Sequence, residues 1–186
     1  MRDSRDAVRR PFGASRRTYA QQGGIRLRDR PGPIFQLLVL ALLAGKPVAA
    51  DVAARAARHL FRAGFRSPRA VLDGDRDRAV LALHRAGYAR EDDGSASRLR
   101  DVARRVRDEF DGDLRNLRTR SGQDPNRLAD EVMTFDGVGR RGAQVFLREI
   151  QAVWPWVRDR THESVSAGMS EHGPSDVEER PPRTDR

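Results

Sequence analysis

The stretch that decides the fold is residues 124–150, DPNRLADEVMTFDGVGRRGAQVFLREI. It begins with Asp124 followed by a proline, the usual pairing of an N-capping residue with a first helical position. Apolar residues recur at helical spacing on both sides of a central GVG sequence, whose glycines allow a sharp change of chain direction. The pattern predicts two packed helices joined by a tight hairpin at Gly137-Val138-Gly139.

This hairpin carries the chemistry of an anion-binding site. Its glycines leave backbone amides uncovered by side chains, and the second helix starts near Arg140, so the positive end of the helix dipole points to the same place. Two consecutive arginines add formal charge there. Such a site clamps a sugar–phosphate backbone without reading its sequence. The predicted binding residues are Gly137, Val138, Gly139, Arg140 and Arg141.

The residues before this stretch show further helical patterns. Residues 33–44 are apolar on nearly every side, which predicts a central buried helix. Short amphipathic segments follow, separated by glycine, proline and serine, and none alternates as a strand would. One starts at Ser67-Pro68, one places Val80, Leu81 and Leu83 inward, and Ser95 or Ser97 caps the next. The predicted fold class is all-α, a multi-helix bundle with a helix-hairpin-helix motif and disordered termini.

Composition divides the chain into three parts. Residues 1–31 are rich in arginine, which predicts a basic disordered arm that either contacts phosphates or is a solvated tail. Residues 32–160 form the helical domain. Residues 161–186 are predicted to be a disordered tail, because few apolar residues occur there.

Charge and residue usage narrow the function classes. The net charge is +9, from 36 Lys+Arg against 27 Asp+Glu, and Lys46 is the sole lysine. The excess favours a polyanionic partner, although a coding bias toward arginine also explains it. Without cysteine, the chain has no disulfide, thiolate nucleophile or Cys-ligated iron–sulfur cluster, and its four histidines show no metal-ligand spacing. The longest apolar run is too short to span a membrane. We expect a cytoplasmic, nucleoid-associated monomer.

The sequence from Phe135 to Ala143, F-x-GVGR-x-x-A, resembles the helix-hairpin-helix motif of the endonuclease III-like DNA glycosylase superfamily. The usual form is Leu-Pro-Gly-Val/Ile-Gly-x-x-Thr/Ala, and Asp136 replaces the common proline. Residues 33–44 resemble the buried helix of that family, and the order of elements is similar from Pro33 to Asp159. The resemblance implies a base-excision repair protein whose partner is duplex DNA, damaged or abasic.

The resemblance also implies a catalytic residue. In such enzymes a base is flipped into a cleft, and an aspartate downstream of the hairpin assists its loss. Asp159 lies at the family spacing from Arg141 and follows Trp154-Pro155, a dipeptide common there. The alternative is a surface charge beside Arg158 and Arg160. The apolar pattern ends near Val157, before the further helices of the family, so Asp159 is expected on a fraying segment.

Two further positions bear on the activity. Arg141 stands where bifunctional relatives have the lysine that attacks the sugar, and a guanidinium stays protonated, so lyase chemistry is not expected. Lys46 follows the buried helix, where relatives present a polar side chain that fills the gap left by the flipped base. Its alternative is an exposed loop lysine. No cofactor is expected, apart from a monovalent cation that the hairpin of such a family could hold.

Three functions remain in competition. The first is a monofunctional DNA N-glycosylase that uses water as the nucleophile. The second is a non-catalytic helix-hairpin-helix protein that binds DNA or structured RNA. The third is a helical adaptor between proteins, whose arginines serve solubility alone.

Overall fold

The computed structural model describes residues 17–88 and 92–158, and within them the chain is helical with no strand. This confirms the all-α prediction. The helices are α1 (Tyr19–Gln22), α2 (Pro31–Ala44), α3 (Ala50–Arg62), α4 (Pro68–Leu72), α5 (Arg76–Arg85), α6 (Asp92–Phe110), α7 (Leu117–Arg120), α8 (Pro125–Met133) and α9 (Gly139–Ile150), and a 3₁₀ turn covers Leu114–Asn116. None of the helices described is both long and apolar enough to cross a membrane.

Helix α2 occupies the centre of the bundle. Every residue from Leu37 to Leu43 is at most 1% exposed, which confirms the predicted buried helix. The helix packs against α3 on one side and against α9 on another. Because a helix that is apolar all round can bury every face, α2 serves as the common support of its neighbours.

Local capping signals account for several helix starts. Ser67 accepts a hydrogen bond from the amide of Ala70 at the start of α4, as its position before a proline predicts. The Asp124 carboxylate accepts from two amides at the start of α8, so the predicted cap is confirmed there too.

Two details of the prediction are wrong. Leu81 is 47% exposed, because Ala79, Ala82 and Leu83 form the buried face of α5 and Leu81 lies on the opposite side. Helix α6 begins at Asp92, upstream of both serines that were expected to cap it. Ser95 is instead buried within its first turn.

The N-terminal boundary also differs from the prediction. Residues 17–31 were placed in the arm, but Tyr19, Ala20 and Ile25 are buried in the core. A reciprocal capping box nucleates α1: the Thr18 hydroxyl accepts from the Gln21 amide, and the Gln21 side chain accepts from the Thr18 amide. The helical body therefore includes these residues. The rest of the predicted arm, residues 1–16, and the predicted tail, 161–186, lie outside the described residues.

Candidate nucleic-acid interface

The segment between α8 and α9 forms the predicted hairpin. Gly137 has φ +84° and Gly139 has φ +55°, both in the left-handed region that favours glycine. A Cβ on Gly139 would meet no atom within 4 Å, so this glycine faces open space. The helix-bend-helix geometry that the sequence predicts for residues 124–150 is present.

The amides of the hairpin divide into two groups. The Val138 amide donates to the carbonyl of Phe135 at 3.1 Å, and the Val138 side chain is fully buried. Val138 therefore anchors the turn. The sequence predicted that its amide would be available to bind an anion, and this prediction is wrong, because the amide already donates within the turn. Gly139, Arg140 and Arg141 are exposed, and they are the first three residues of α9. Their amides precede the first helical hydrogen bond, from Gly142 to Val138, and no described side chain caps them.

Charge at this helix end opposes the helix dipole. The first turn of α9 holds Arg140 and Arg141 and no acidic residue. A cation at a helix N-terminus is unfavourable by about 0.3–1 kcal/mol, because the dipole is positive there. A bound anion would reverse this penalty by interacting favourably with the amides, the dipole and both guanidinium groups. The two arginines therefore lower the stability of α9 slightly and at the same time make its N-terminus more attractive to an anion.

The hairpin is fixed to the buried helix by close backbone contacts. A Cβ on Gly142 would lie 2.5 Å from the carbonyl oxygen of Ala41, so α9 and α2 approach at a distance that only glycine permits. At the end of α2, a Cβ on Gly45 would lie 2.6 Å from the Val138 oxygen. These contacts hold the turn rigidly in place.

A second support comes from aromatic packing beneath the turn. Phe135, the hydrophobic residue of the motif, is 1% exposed and stacks on Phe110 with 5.6 Å between ring centroids. The guanidinium of Arg105 lies 4.6 Å from the Phe135 ring centre, and that of Arg120 is equally close to Phe110. Cation–π contacts of this kind add to the apolar burial. The C-terminal end of α8 is therefore firmly held.

The structure brings the predicted loop residue to the hairpin. Lys46 is half-buried and directly follows Gly45, the residue in contact with Val138. In the same loop, the Val48 carbonyl accepts a hydrogen bond of 3.4 Å from Arg141 Nη2. This hydrogen bond joins residues 93 positions apart and links the loop after α2 to the start of α9.

A pocket of about 350 Å³ opens beside Arg141, between α9, α1 and the start of α3. Tyr19, Gln144 and Arg148 also line it. The Tyr19 hydroxyl donates to the Ala50 carbonyl at 2.8 Å. Burial raises the pKa of Tyr19, while the nearby Arg141 and Arg148 act in the opposite direction. The phenol therefore stays protonated at neutral pH, and the charges around it are those of Arg141 and Arg148, with the carboxylates of Asp51 and Glu149 also nearby.

Sequence reasoning missed one residue at the hairpin. Arg98 of α6 lies over it: a Cβ on Gly137 would be 2.6 Å from Arg98 Cδ, and Arg98 Nε lies 3.5 Å from the Asp136 carboxylate. The one signal in the sequence was Asp136 in place of the motif's proline. A carboxylate beside an anion-binding site repels the anion unless a neighbouring cation neutralises it. Nothing in the sequence indicates which arginine supplies that cation.

Asp159 lies outside the described residues, and the chain is well anchored just before it. Val157 is fully buried, and so is Trp154, whose indole N–H donates to Asp29 at 3.0 Å. The Trp154 ring also packs under the guanidinium of Arg118, at 5.2 Å. Burial of Trp154 agrees with a packing role for this residue.

No group of three or more His, Asp and Glu side chains that could hold a metal occurs within residues 17–88 and 92–158. At the hairpin, the carbonyls of Gly137 and Val138 lie against Gly45, and the Val138 carbonyl also accepts from Gly142. Whether the hairpin holds a monovalent cation stays a prediction.

Comparison of the chain with protein-family models, with curated proteins and with solved structures found no match.

Proposed function

We propose that this protein binds duplex DNA through the hairpin, as a helix-hairpin-helix protein of the endonuclease III-like kind. The observation that carries the proposal is the start of α9, where three exposed, uncapped residues combine backbone amides with two arginines. Amides at a helix N-terminus bind phosphate oxygens well, and arginine forks add paired hydrogen bonds. Lys46 and Arg141 extend the same surface into the loop after α2.

The base-excision step is the further part of this proposal. Asp159 would activate a water molecule, and Arg141 would contact the DNA without forming a Schiff base, because its guanidinium does not deprotonate. Support comes from the anchoring of the chain at Val157, which is fully buried two positions before Asp159. The enzyme would be a monofunctional N-glycosylase that leaves the strand intact.

Binding is tested by fluorescence anisotropy with duplexes that are intact or carry one abasic site, at two salt concentrations. The combined variant Arg140→Gln, Arg141→Gln should bind at least tenfold more weakly. A plot of the logarithm of the association constant against the logarithm of the salt concentration has a negative slope. For this variant the slope should be less steep by about 2, since each lost phosphate contact removes about 0.9. Arg104→Gln with Arg107→Gln is the matched control, because these arginines are paired with Asp101 and Asp108 on α6. Equal binding by both variants would refute the hairpin site.

Catalysis is tested on the same samples by measuring free base released from a panel of damaged duplexes. Release by the wild-type protein, lost in Asp159→Asn with binding retained, is the expected result. If no lesion yields free base, the glycosylase part is refuted, and the non-catalytic binding protein becomes the better description.

A further inference from the structure

A second basic surface lies around the C-terminal end of α3 and the neighbouring helix α5, away from the hairpin. It consists of two adjoining pockets of about 360 and 250 Å³ that share Arg62. We call it the α3 basic patch, and its arginines are Arg17, Arg58, Arg62, Arg66, Arg78 and Arg85. Neither pocket has a carboxylate among its described lining residues.

The arginines of the patch differ in pairing from those elsewhere on the surface. On α6, Arg104 and Arg107 each pair with a neighbouring aspartate at 2.7 and 2.6 Å. Within the described part of the chain, no ion pair is found for Arg62, Arg78 or Arg85, and all three are exposed. Neighbouring positive charges without carboxylate partners repel one another. Binding of an anion would reduce this repulsion and so lower the electrostatic free energy of the patch.

Part of the patch is already ordered for binding. Arg66 Nε donates to the Phe61 carbonyl at 2.8 Å, and Arg58 Nη2 donates to the carbonyl of Gln22. Each guanidinium is thereby held in one orientation with other N–H groups left to donate. Holding a side chain in place before binding lowers the entropy cost of forming the complex.

The pocket beside Arg141 lies at the start of α3, and the α3 basic patch lies at its C-terminal end. The pocket beside Arg141 is lined by Tyr19 and by Ala50, the first residue of α3, and the patch begins at Gln21 and Arg58. The helix has 13 residues, which corresponds to a length of about 20 Å at about 1.5 Å per residue. A backbone strand with one phosphate per about 3.4 Å would place about six phosphates over that distance.

We infer that the α3 basic patch is a second contact surface for the sugar–phosphate backbone of the nucleic acid held by the hairpin. This inference depends on the proposed function. The ligand chemistry is a linear polyanion, because the cations come from the C-terminal end of α3, from α5 and from neighbouring loops, and are distributed over two adjoining pockets instead of being gathered around one point. Leu81 is the one large exposed apolar side chain that lines the patch, beside six arginines, so the surface lacks the cluster of apolar anchors that a protein or membrane interface needs.

The experiment measures the salt dependence of duplex binding for four proteins in parallel: the wild type, the hairpin variant Arg140→Gln, Arg141→Gln, a patch variant and a control variant. The patch variant carries Arg62→Gln, Arg78→Gln and Arg85→Gln, and the control carries Arg104→Gln, Arg107→Gln and Arg115→Gln, with the same change in net charge. The slope of log association constant against log salt should be less steep by about 2–3 for the patch variant, at about 0.9 per phosphate contact. For the control variant it should change by less than about 1. Circular dichroism establishes that each variant is folded.

The outcomes separate this inference from the proposed function. If the patch variant binds like the control while the hairpin variant is weakened, the patch is refuted and the hairpin stands. If the hairpin variant keeps the full slope while the patch variant loses it, the hairpin site fails and the patch alone binds the duplex. Patch-dependent binding to phosphatidylglycerol vesicles, with no patch dependence on duplex, would overturn the inference in favour of a lipid surface.

Discussion

The Cα of Gly45 lies against the carbonyl oxygen of Val138, so close that a Cβ at this position would be 2.6 Å from that oxygen and 2.8 Å from the oxygen of Gly137. Gly45 ends the buried helix α2, and Val138 is the fully buried residue at the tip of the hairpin. This contact determines where the hairpin stands relative to the loop that carries Lys46.

Gly45→Ala should therefore destabilise the protein and shift the hairpin. The residue has φ −65°, so alanine meets no backbone strain and the effect is purely steric. Forcing a methyl group into a packed backbone contact costs about 1–3 kcal/mol. Urea denaturation measures the loss.

Gly32→Ala is the control for this substitution. Gly32 lies in the first turn of the same helix, and a Cβ there would meet nothing within 4 Å. Alanine is a better helix former than glycine, but the ring of Pro33 disfavours a helical backbone for a preceding residue that has a Cβ, so the two effects oppose each other and the free energy of unfolding should change by less than about 1 kcal/mol. Equal effects of the two substitutions would contradict the contact described above.

Arg140→Glu should stabilise the fold and weaken DNA binding. Replacing a cation by an anion in the first turn of α9 makes the side chain favourable for the helix dipole, which is worth about 1 kcal/mol. The same change repels phosphate. Thermal denaturation and anisotropy titrations of one preparation would measure both effects.

Arg104→Glu provides the comparison, with an identical change in charge. It breaks the ion pair with Asp101 and should lower stability slightly, without a specific effect on binding. If Arg140→Glu also lowers stability, or leaves binding intact, the role assigned to the start of α9 is wrong.

Glu149→Ala should release α1 from the body of the protein. The Glu149 side chain is 8% exposed and its Oε2 accepts the amide of Ala20 at 2.8 Å. Leaving a buried amide without a partner costs about 1–3 kcal/mol. Hydrogen exchange at Ala20 should accelerate strongly in this variant. Glu149→Gln keeps an acceptor oxygen and should behave much more like the wild type, whereas equal exchange rates in both would exclude this role.

Asp113 should make stability depend on pH in the acid range. Hydrogen bonds from the Arg115 side chain, with a further one from its backbone amide, hold the pKa of Asp113 below its ordinary value. A depressed folded-state pKa contributes stability that is present above the unfolded-state value of about 3.9 and is lost as pH falls through the folded value. The difference in unfolding free energy between wild type and Asp113→Asn should narrow below about pH 4. A difference that stays constant from pH 7 to pH 3 would contradict the prediction.

Local patterns in the sequence were sufficient for much of the fold. The caps at Ser67 and Asp124, the buried helix α2 and the hairpin at Gly137 all depend on residues within one or two helical turns of each other. Such signals can be read directly, because the hydrogen bonds and the side-chain periodicity that produce them are short-range.

The features that the sequence did not reveal depend on distant contacts. Arg98 reaches the hairpin from another helix, and no local rule distinguishes it from the other arginines of α6. Docking of α1 requires Glu149, and the few apolar residues of that segment gave no periodicity to detect. A signal did exist for Gly142, since a glycine inside a helical pattern often marks the close approach of another backbone.

The bond between Ala20 and Glu149 spans 129 positions of the chain, and the one between Trp154 and Asp29 spans 125. A nascent polypeptide cannot form either until nearly all of the helical body has left the ribosome. At about 5–20 residues per second, synthesis leaves the start of the body waiting for roughly 6–26 seconds with its apolar side chains exposed. Chaperone demand should therefore concentrate on this early segment, and a pause in translation before Trp154 has left the ribosome would lengthen its exposure.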